Sequence, residues 1–331
     1  MRRLGGIAVV LLALLTAAAG GAWIYLQQLF EAPGPLTEEA TLVVPRGAGL
    51  TTIGELLAEA GVISDARIFA LGVRLFAEPT ALKAGEYAFE PGSSMAQAAD
   101  LIASGRTLVH RLTVPEGLTS AEVVALLDAA EVLEGDAGPV PPEGGLLPET
   151  YHFLRGDSRA EVLARMRQSM TETLAEIWEG RAAELPLQSP QEALVLASIV
   201  EKETGIDSER ALVAGVFVNR LRRGMPLQSD PTVAFGITEG KAPLGRALTR
   251  KDLEQASPYN TYRISGLPPG PIANPGRAAL EATVNPAETE FIYFVATGDG
   301  GHAFAKTLAE HNRNVAKWRK YLRSLKKKQT N

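Results

Sequence analysis

Apolar residues are spread unevenly along this chain. From Leu4 to Phe30 no side chain is charged, and Arg2 and Arg3 stand just before the run. Its centre, Ile7 to Leu15, is almost pure Ala, Val, Leu and Ile, and Trp23 and Tyr25 lie near its far end. Amphipathic rings favour the headgroup region of a bilayer. Twenty-seven residues at about 1.5 Å each are enough to cross a hydrocarbon core of roughly 30 Å with some tilt. The pattern predicts a single transmembrane helix within residues 1–31. A cleaved signal peptide is the competing reading, with Ala17, Ala18 and Ala19 as a possible cleavage site. Its apolar core would usually run only about 7–15 residues. The positive-inside rule keeps the two arginines cytoplasmic and sends everything after residue 31 across the membrane.

Residues 32–39 contain Pro33, Gly34 and Pro35, which discourage regular structure and predict a linker. Beyond it, three segments share one grammar of β-type run, Pro or Arg or Glu with Gly, then amphipathic helix. They are Thr41–Gly47 with Leu50–Ala60, Tyr87–Gly92 with Ser93–Ser104, and Arg111–Gly117 with Leu118–Ala130. Thr51, Ser94 and Thr119 are the expected N-caps. Ile53, Leu56, Leu57 and Ala60 show the helical spacing of a buried face. Units this short cannot bury a core alone and must pack together. Residues 40–110 resemble the LysM modules, small glycan-binding folds of two strands and two helices. A plain α+β packing domain without ligand accounts for the pattern equally well.

Prolines and glycines make residues 135–148 a loop. It leads into Leu147–Phe153, where Glu149 stands beside Tyr151, a pairing of carboxylate and aromatic face that suits a sugar ring, although Tyr151 and Phe153 could equally be core. The next helix carries more chemistry. Ser189-Pro-Gln-Glu192 reads as a capping box with Pro190 at the first helical position. Ala193–Val200 is apolar nearly all round, so the helix is buried. It ends in Glu201-Lys-Glu-Thr-Gly205, with Gly205 as the expected left-handed cap. Glu201 and Glu203, two apart, face different sides. The negative helix end and the apolar walls disfavour ionisation, most strongly at Glu203, near Leu196, Ile199 and Val200. A carboxyl raised in this way can protonate a departing glycosidic oxygen. The alternative is a pair of solvated acids at a helix end.

Downstream, a helix over Ser208–Arg223 contains Asn219. Loops follow that carry Gln228, Asp230, Tyr259, Asn260 and Tyr262, then Gly266–Ile272 and Asn274–Gly276. Long loops of this composition usually carry function, and their amides, carboxylate and phenols suit sugar hydroxyls and ring faces. Phe291–Val295 reads as a buried strand that feeds a turn and His302.

Composition narrows the classes. The 331 residues are 46% hydrophobic and 21% charged, ordinary for folded protein, and the length favours two soluble domains. The absence of cysteine excludes a thiol nucleophile, a disulfide scaffold and cysteine-ligated metal. A net charge of −5 argues against nucleic-acid binding. The four histidines are scattered without a zinc signature, GxSxG and P-loop patterns are missing, and no cofactor or metal is expected.

Six motifs then occur in one order: Ser198-Ile-Val-Glu-Lys-Glu-Thr204, Ser229-Asp-Pro-Thr-Val233, Ser257-Pro-Tyr-Asn-Thr-Tyr262, Gly266-Leu-Pro-Pro-Gly270, Tyr293-Phe-Val295 and His302-Ala-Phe304. Together they resemble the endolytic murein transglycosylase (YceG-like) family, from the anchor to Glu310-His-Asn312. The resemblance implies an inner-membrane, single-pass enzyme whose periplasmic part cleaves peptidoglycan strands between N-acetylmuramic acid and N-acetylglucosamine. Glu203 is implied as the catalytic acid. It would protonate the bridging oxygen, and the sugar's own 6-hydroxyl would close a 1,6-anhydro ring. Substrate contacts are expected from Glu149, Tyr151, Asn219, Gln228, Asp230, Tyr259, Asn260, Tyr262 and His302, and peptidoglycan synthases as membrane partners. A hydrolytic muramidase and an anchored wall-binding scaffold without catalysis are the rivals. The expected fold is α+β: the transmembrane helix, the LysM-like subdomain at 40–110, a mixed catalytic domain at 111–325 with its buried glutamate-bearing helix, and a basic tail at 326–331.

Overall fold

The computed structural model describes residues 2–77, 81–298 and 300–329. It is mixed α+β and divides into two compact units. The first contains the chain up to His110 together with His152–Gly156; the second contains Arg111–Tyr151 and the chain from Asp157 onward.

In the first unit, α1 (Arg2–Glu31) is one uninterrupted helix, long and apolar enough to cross a membrane. Strand β1 (Ala40–Val44) is followed by α2 (Leu50–Glu59), α3 (Ala66–Phe76), β2 (Gly85–Phe89) and α4 (Met95–Ser104). β1 and β2 pair antiparallel, Ala40 opposite Phe89 and Val44 opposite Gly85. Between this ribbon and the helices lies a core that includes Ile53, Leu57, Ile63, Phe69, Tyr87, Phe89 and Ile102. The Tyr87 hydroxyl escapes the cost of burial by donating to Lys83 O at 2.8 Å.

Two expectations change here. Thr51 is not the cap of α2: the helix begins two residues earlier than that cap would place it, at Leu50, with Gly49 at the N-cap. Helix α3 breaks the strand–turn–helix grammar of the repeats. It is nevertheless signposted by Asp65, whose side chain accepts from the backbone N–H groups of Arg67 and Ile68 at 2.7 and 3.0 Å. Ser94 caps α4 as expected, in a reciprocal box with Gln97.

The end of α1 belongs to this core. Phe30 is only 3% exposed and packs on α3, where Gly72 leaves room for its ring. A Cβ at position 72 would lie 2.2 Å from Phe30 Cδ2. One end of α3 also meets Trp23, whose ring lies edge-on to Phe76 at 4.8 Å.

The second unit continues through β3 (His110–Thr113), α5 (Ser120–Asp128), β4 (Thr150–Phe153), α6 (Arg159–Glu179), α7 (Pro190–Glu203), α8 (Asp207–Arg222), α9 (Asp230–Thr238), α10 (Arg250–Glu254), α11 (Arg277–Val284), β5 (Tyr293–Ala296), β6 (His302–Ala305) and α12 (Leu308–Gln329). β3 and β4 straddle the division between the units. Thr119 caps α5 in a reciprocal box with Glu122. At the centre stands α7, whose residues Ala193–Val200 are all buried, with α6, α8 and α11 packed around it. β5 and β6 form a hairpin that sets His302 opposite Ala296.

Several local readings are corrected. Ser189 does cap α7, accepting from Glu192 N at 3.2 Å. The return arm differs, because Glu192 accepts from Gln188 N, one residue too early for a capping box. Thr204, in extended geometry, ends the helix, and Gly205 is absent from the residues of positive φ. The segment after Ser229 is helix α9 rather than loop. The strand near Phe291 starts at Tyr293 and is half-buried. α12 continues to Gln329, through the three lysines read as a tail.

Because Phe30 closes the first unit's core, Phe30→Ala should cost about 3–5 kcal/mol. The measurement is urea unfolding of the solubilised full chain, followed by proteolysis within the first unit. An unchanged midpoint would mean that α1 is only a tether.

Candidate active site

The site is built on the last turn of α7. Buried apolar residues pin the helix from Ala193 to Val200, so its carboxylates emerge from a rigid support. Ser198 locks a neighbouring loop onto it: the hydroxyl donates to Val195 O at 2.7 Å and accepts from Ile272 N at 3.0 Å. The two glutamates face different neighbourhoods, as their spacing requires. Glu201 accepts from Gly276 N, the N-cap residue of α11, at 3.0 Å. Its pKa is raised by burial and secondarily by the charge of Glu116.

Glu203 meets the loop that enters α9. The Ser229 hydroxyl donates to Glu203 Oε1 at 2.5 Å. Ser229 stands at the N-cap of α9 but makes no side-chain capping bond, because its hydroxyl is turned to the carboxyl. Its backbone is held from both sides. Ser229 N donates to Thr261 Oγ1 at 2.9 Å, and Thr232 Oγ1 donates to Ser229 O at 2.7 Å. The two threonine hydroxyls lie 2.8 Å apart. Since the Thr232 proton is already committed, Thr261 is the donor between them.

Burial pushes the Glu203 pKa up to about 7, and the nearby Asp230 carboxylate adds to the rise. The Ser229 bond and the charges of His302 and Arg220 oppose it. The Tyr262 hydroxyl donates to Asp230 Oδ1 at 2.6 Å, and burial followed by that carboxylate pushes the phenol's own pKa up. His302 Nδ1 lies 2.7 Å from Glu209 Oε2, and His302 N donates to Glu209 Oε1 at 3.0 Å. Its ring is lodged beside Phe294 and Phe304.

Arg220 lies beneath this cluster, buried and without a carboxylate partner in bonding range among the described residues. Its Nε donates to Ile292 O at 2.7 Å and its Nη1 to Leu227 O at 2.8 Å. The weaker contacts of Nη1 go to Pro226 O and Gln228 Oε1. Gln228 has φ 53°, a left-handed conformation uncommon outside glycine, directly before Ser229. Its N–H donates to Thr261 O at 3.0 Å.

The expected contact residues therefore divide. Gln228, Asp230, Tyr262 and His302 gather about Glu203. Tyr259, in the loop after α10, packs its ring 4.8 Å from Phe235 of α9, and burial raises its pKa. Asn260 is 1% exposed and fully committed: its amide donates to Leu253 O and Gln255 O and accepts from Tyr262 N, which makes it a brace for the tyrosine loop. Asn219 likewise spends both amide donors, on Thr289 O and Phe291 O, fixing the approach to β5. Tyr151 is buried and donates to Leu147 O at 2.7 Å, with its pKa raised by burial to about 12. Glu149 is exposed, beside Tyr151.

The model of the YceG-like family matches residues 42–317. The chain belongs to the YceG-like family. A Bacillus subtilis relative named endolytic murein transglycosylase is 31% identical over 334 residues, covering 90% of each chain. A Streptococcus pneumoniae relative of the same name is 29% identical over 93% of this chain and 64% of its own. The crystal structure of a yceG-like protein from Listeria monocytogenes is similar with a TM-score of 0.51 and 31% identity, covering 84% of this chain and 99% of the other.

Within this YceG-like chain, Arg220 and Glu209 take part in the site without a signal in the sequence, and Ser229, Thr232 and Thr261 lie in its motifs without having been expected as site residues. Ser229 had a detectable signal. A serine followed by Asp-Pro is a strong helix start, and such a serine turned away from its own helix needs another acceptor.

Glu203 ionises only at a cost in the folded chain. Its stabilising contribution is full below about 4.5 and lost as pH rises through about 7. Glu203→Gln should thus leave stability unchanged near pH 4 and raise it by about 3 kcal/mol above pH 8; denaturant midpoints across pH measure this. The neighbours should act in opposite directions on the Glu203 titration followed by carboxyl NMR. Ser229→Ala moves it up by removing a bond to the charged form, and Asp230→Asn moves it down by removing a like charge.

Proposed function

We propose that this chain is an endolytic murein transglycosylase, anchored by α1 in the inner membrane, with the arginine end of α1 cytoplasmic and the chain after α1 on the periplasmic side. The observation that carries the reading is the Glu203 carboxyl. It sits at the end of a buried helix, holds its proton to about pH 7, and has one oxygen already engaged by Ser229. Membership of a family whose relatives are named for this activity supports it.

Ser229 donates to Oε1, which leaves Oε2 to carry the acidic proton toward substrate. Glu203 gives this proton to the oxygen bridging N-acetylmuramic acid to N-acetylglucosamine as the C1–O bond breaks. The carboxylate formed is stabilised by Ser229 and by the charges of His302 and Arg220. Asp230, held by Tyr262, provides negative charge beside the developing oxocarbenium centre. The muramic acid 6-hydroxyl then attacks C1, and its proton returns to Glu203. The product is a 1,6-anhydro end, and the glutamate is restored without an external water. Gln228, Tyr259 and Tyr262 are the proposed sugar contacts around this centre. The order β1-α2-α3-β2, with its strands paired antiparallel, supports a LysM-like role for the first unit in holding glycan. Peptidoglycan synthases in the same membrane are the natural partners of an enzyme that limits strand length.

Asp230 beside Glu203 is the feature that a hydrolytic muramidase would also use, and one experiment separates the two. Purified sacculi digested by the protein should yield internal fragments with 1,6-anhydro-muramic ends by mass spectrometry, whereas reducing ends would mean hydrolysis. The rate should fall as pH rises through about 7, when Glu203 loses its proton. Glu203→Gln should lower it by about 10³-fold or more, since removal of a general acid costs about 10²–10⁴. Full activity in that variant would assign the acid elsewhere.

A further inference from the structure

α3 has an exposed apolar face that the first unit does not use. Leu71 and Leu75, one helical turn apart, are 44% and 43% exposed, and Arg67 and Arg74 are exposed beside them. The opposite side carries Phe69, Ala70 and Gly72 into the core. The contacts with α1 fix the direction of this face. Gly72 lies against Phe30, whereas Phe76, one turn later, reaches Trp23, two turns back along α1. The C-terminal end of α3 therefore points back toward the apolar stretch of α1.

The anchor sets the depth. A helix needs about 20 residues to cross the hydrocarbon core. Counted from Leu4, the first residue after the arginines, the twentieth is Trp23. Trp23 thus falls at the outer interface, the level that tryptophan prefers. Phe76 touches it, so the end of α3 shares that level, and Leu75 and Leu71 lie at most about 1.5 and 7.5 Å higher by helical rise. Those heights reach to the outer edge of the headgroup zone, which adds roughly 5–7.5 Å on each side of the core. Apolar side chains flanked by arginines are the pattern of a helix seated at a lipid interface.

We propose that Leu71, Leu75 and Phe76 of α3 form a membrane-seating surface whose partner is the outer leaflet of the bilayer that α1 crosses, with Arg74 at the level of the lipid headgroups. The proposal rests on α1 remaining as an uncleaved anchor. It gives the first unit a fixed height and face relative to the membrane.

The lack of cysteine makes the test direct. Four full-length variants, Leu14→Cys, Leu71→Cys, Leu75→Cys and Glu55→Cys, are labelled with an environment-sensitive fluorophore and reconstituted in vesicles of neutral and anionic phospholipid. All four side chains are exposed, so the fold is spared. Quenching by lipids with a spin label at the headgroup or deep in the acyl chain reports depth. The expected result is deep quenching at position 14, headgroup-level quenching at 71 and 75 with blue-shifted emission, and none at 55. Deep quenching at 14 with 71 and 75 as wet as 55 overturns the membrane seat and leaves the anchor standing. A label at 14 that no lipid quenches overturns both.

Discussion

The structure depends on the cost of placing a carboxyl where water solvates it poorly. Glu203 ends a helix whose residues Ala193–Val200 are all buried, and its own desolvation is the largest cause of its raised pKa. The end of a helix is also the negative end of its dipole, which adds to the penalty for a second negative charge. A group held in this state must be tolerated by everything around it. The neighbours accordingly supply one hydroxyl donor, two distant positive charges and one opposing carboxylate. Their balance leaves the pKa near neutrality, where a single group can give a proton and take it back.

Much of the surrounding polarity serves position rather than chemistry. Asn219, Asn260 and Asn274 each tie separate stretches of backbone together. Asn274 accepts from Leu146 N and donates to Leu118 O and Ser120 Oγ. Loops without regular structure still have to satisfy their buried amides and carbonyls, and a side-chain amide can serve two or three of them at once. The long loops keep their shape around Glu203 for this reason.

The elements set by periodicity and caps were legible in the sequence. The α1 run, the buried α7, the glutamate at its end and the N-caps at Ser94 and Thr119 follow from local patterns. What escaped depends on contacts between distant segments. Nothing near Asn260 in the chain reveals that its amide will be used up by Leu253 and Gln255, and a tyrosine-rich loop reads as substrate-facing when only residue types are visible. Ser229 resembles a cap because the acceptor that turns it, Glu203, is 26 residues away. Helix α3 was missed because the repeated grammar suggested one helix per strand. Its purpose becomes visible only when Phe30 is found against Gly72.

Arg220 shows how far a single buried cation can reach. Its forked donors hold the carbonyl of Ile292 with one nitrogen and that of Leu227 with another, so the approach to β5 and the loop before Ser229 are fastened to the same planar group. A lysine there would keep the charge but concentrate its donors on one nitrogen, and could not bridge both segments. The field felt by Glu203 would persist while the seat of Ser229 loosened. In this protein the electrostatic environment of the acid and the mechanical stiffness of its support therefore reside in one side chain, and only a residue that preserves charge but not shape can separate them.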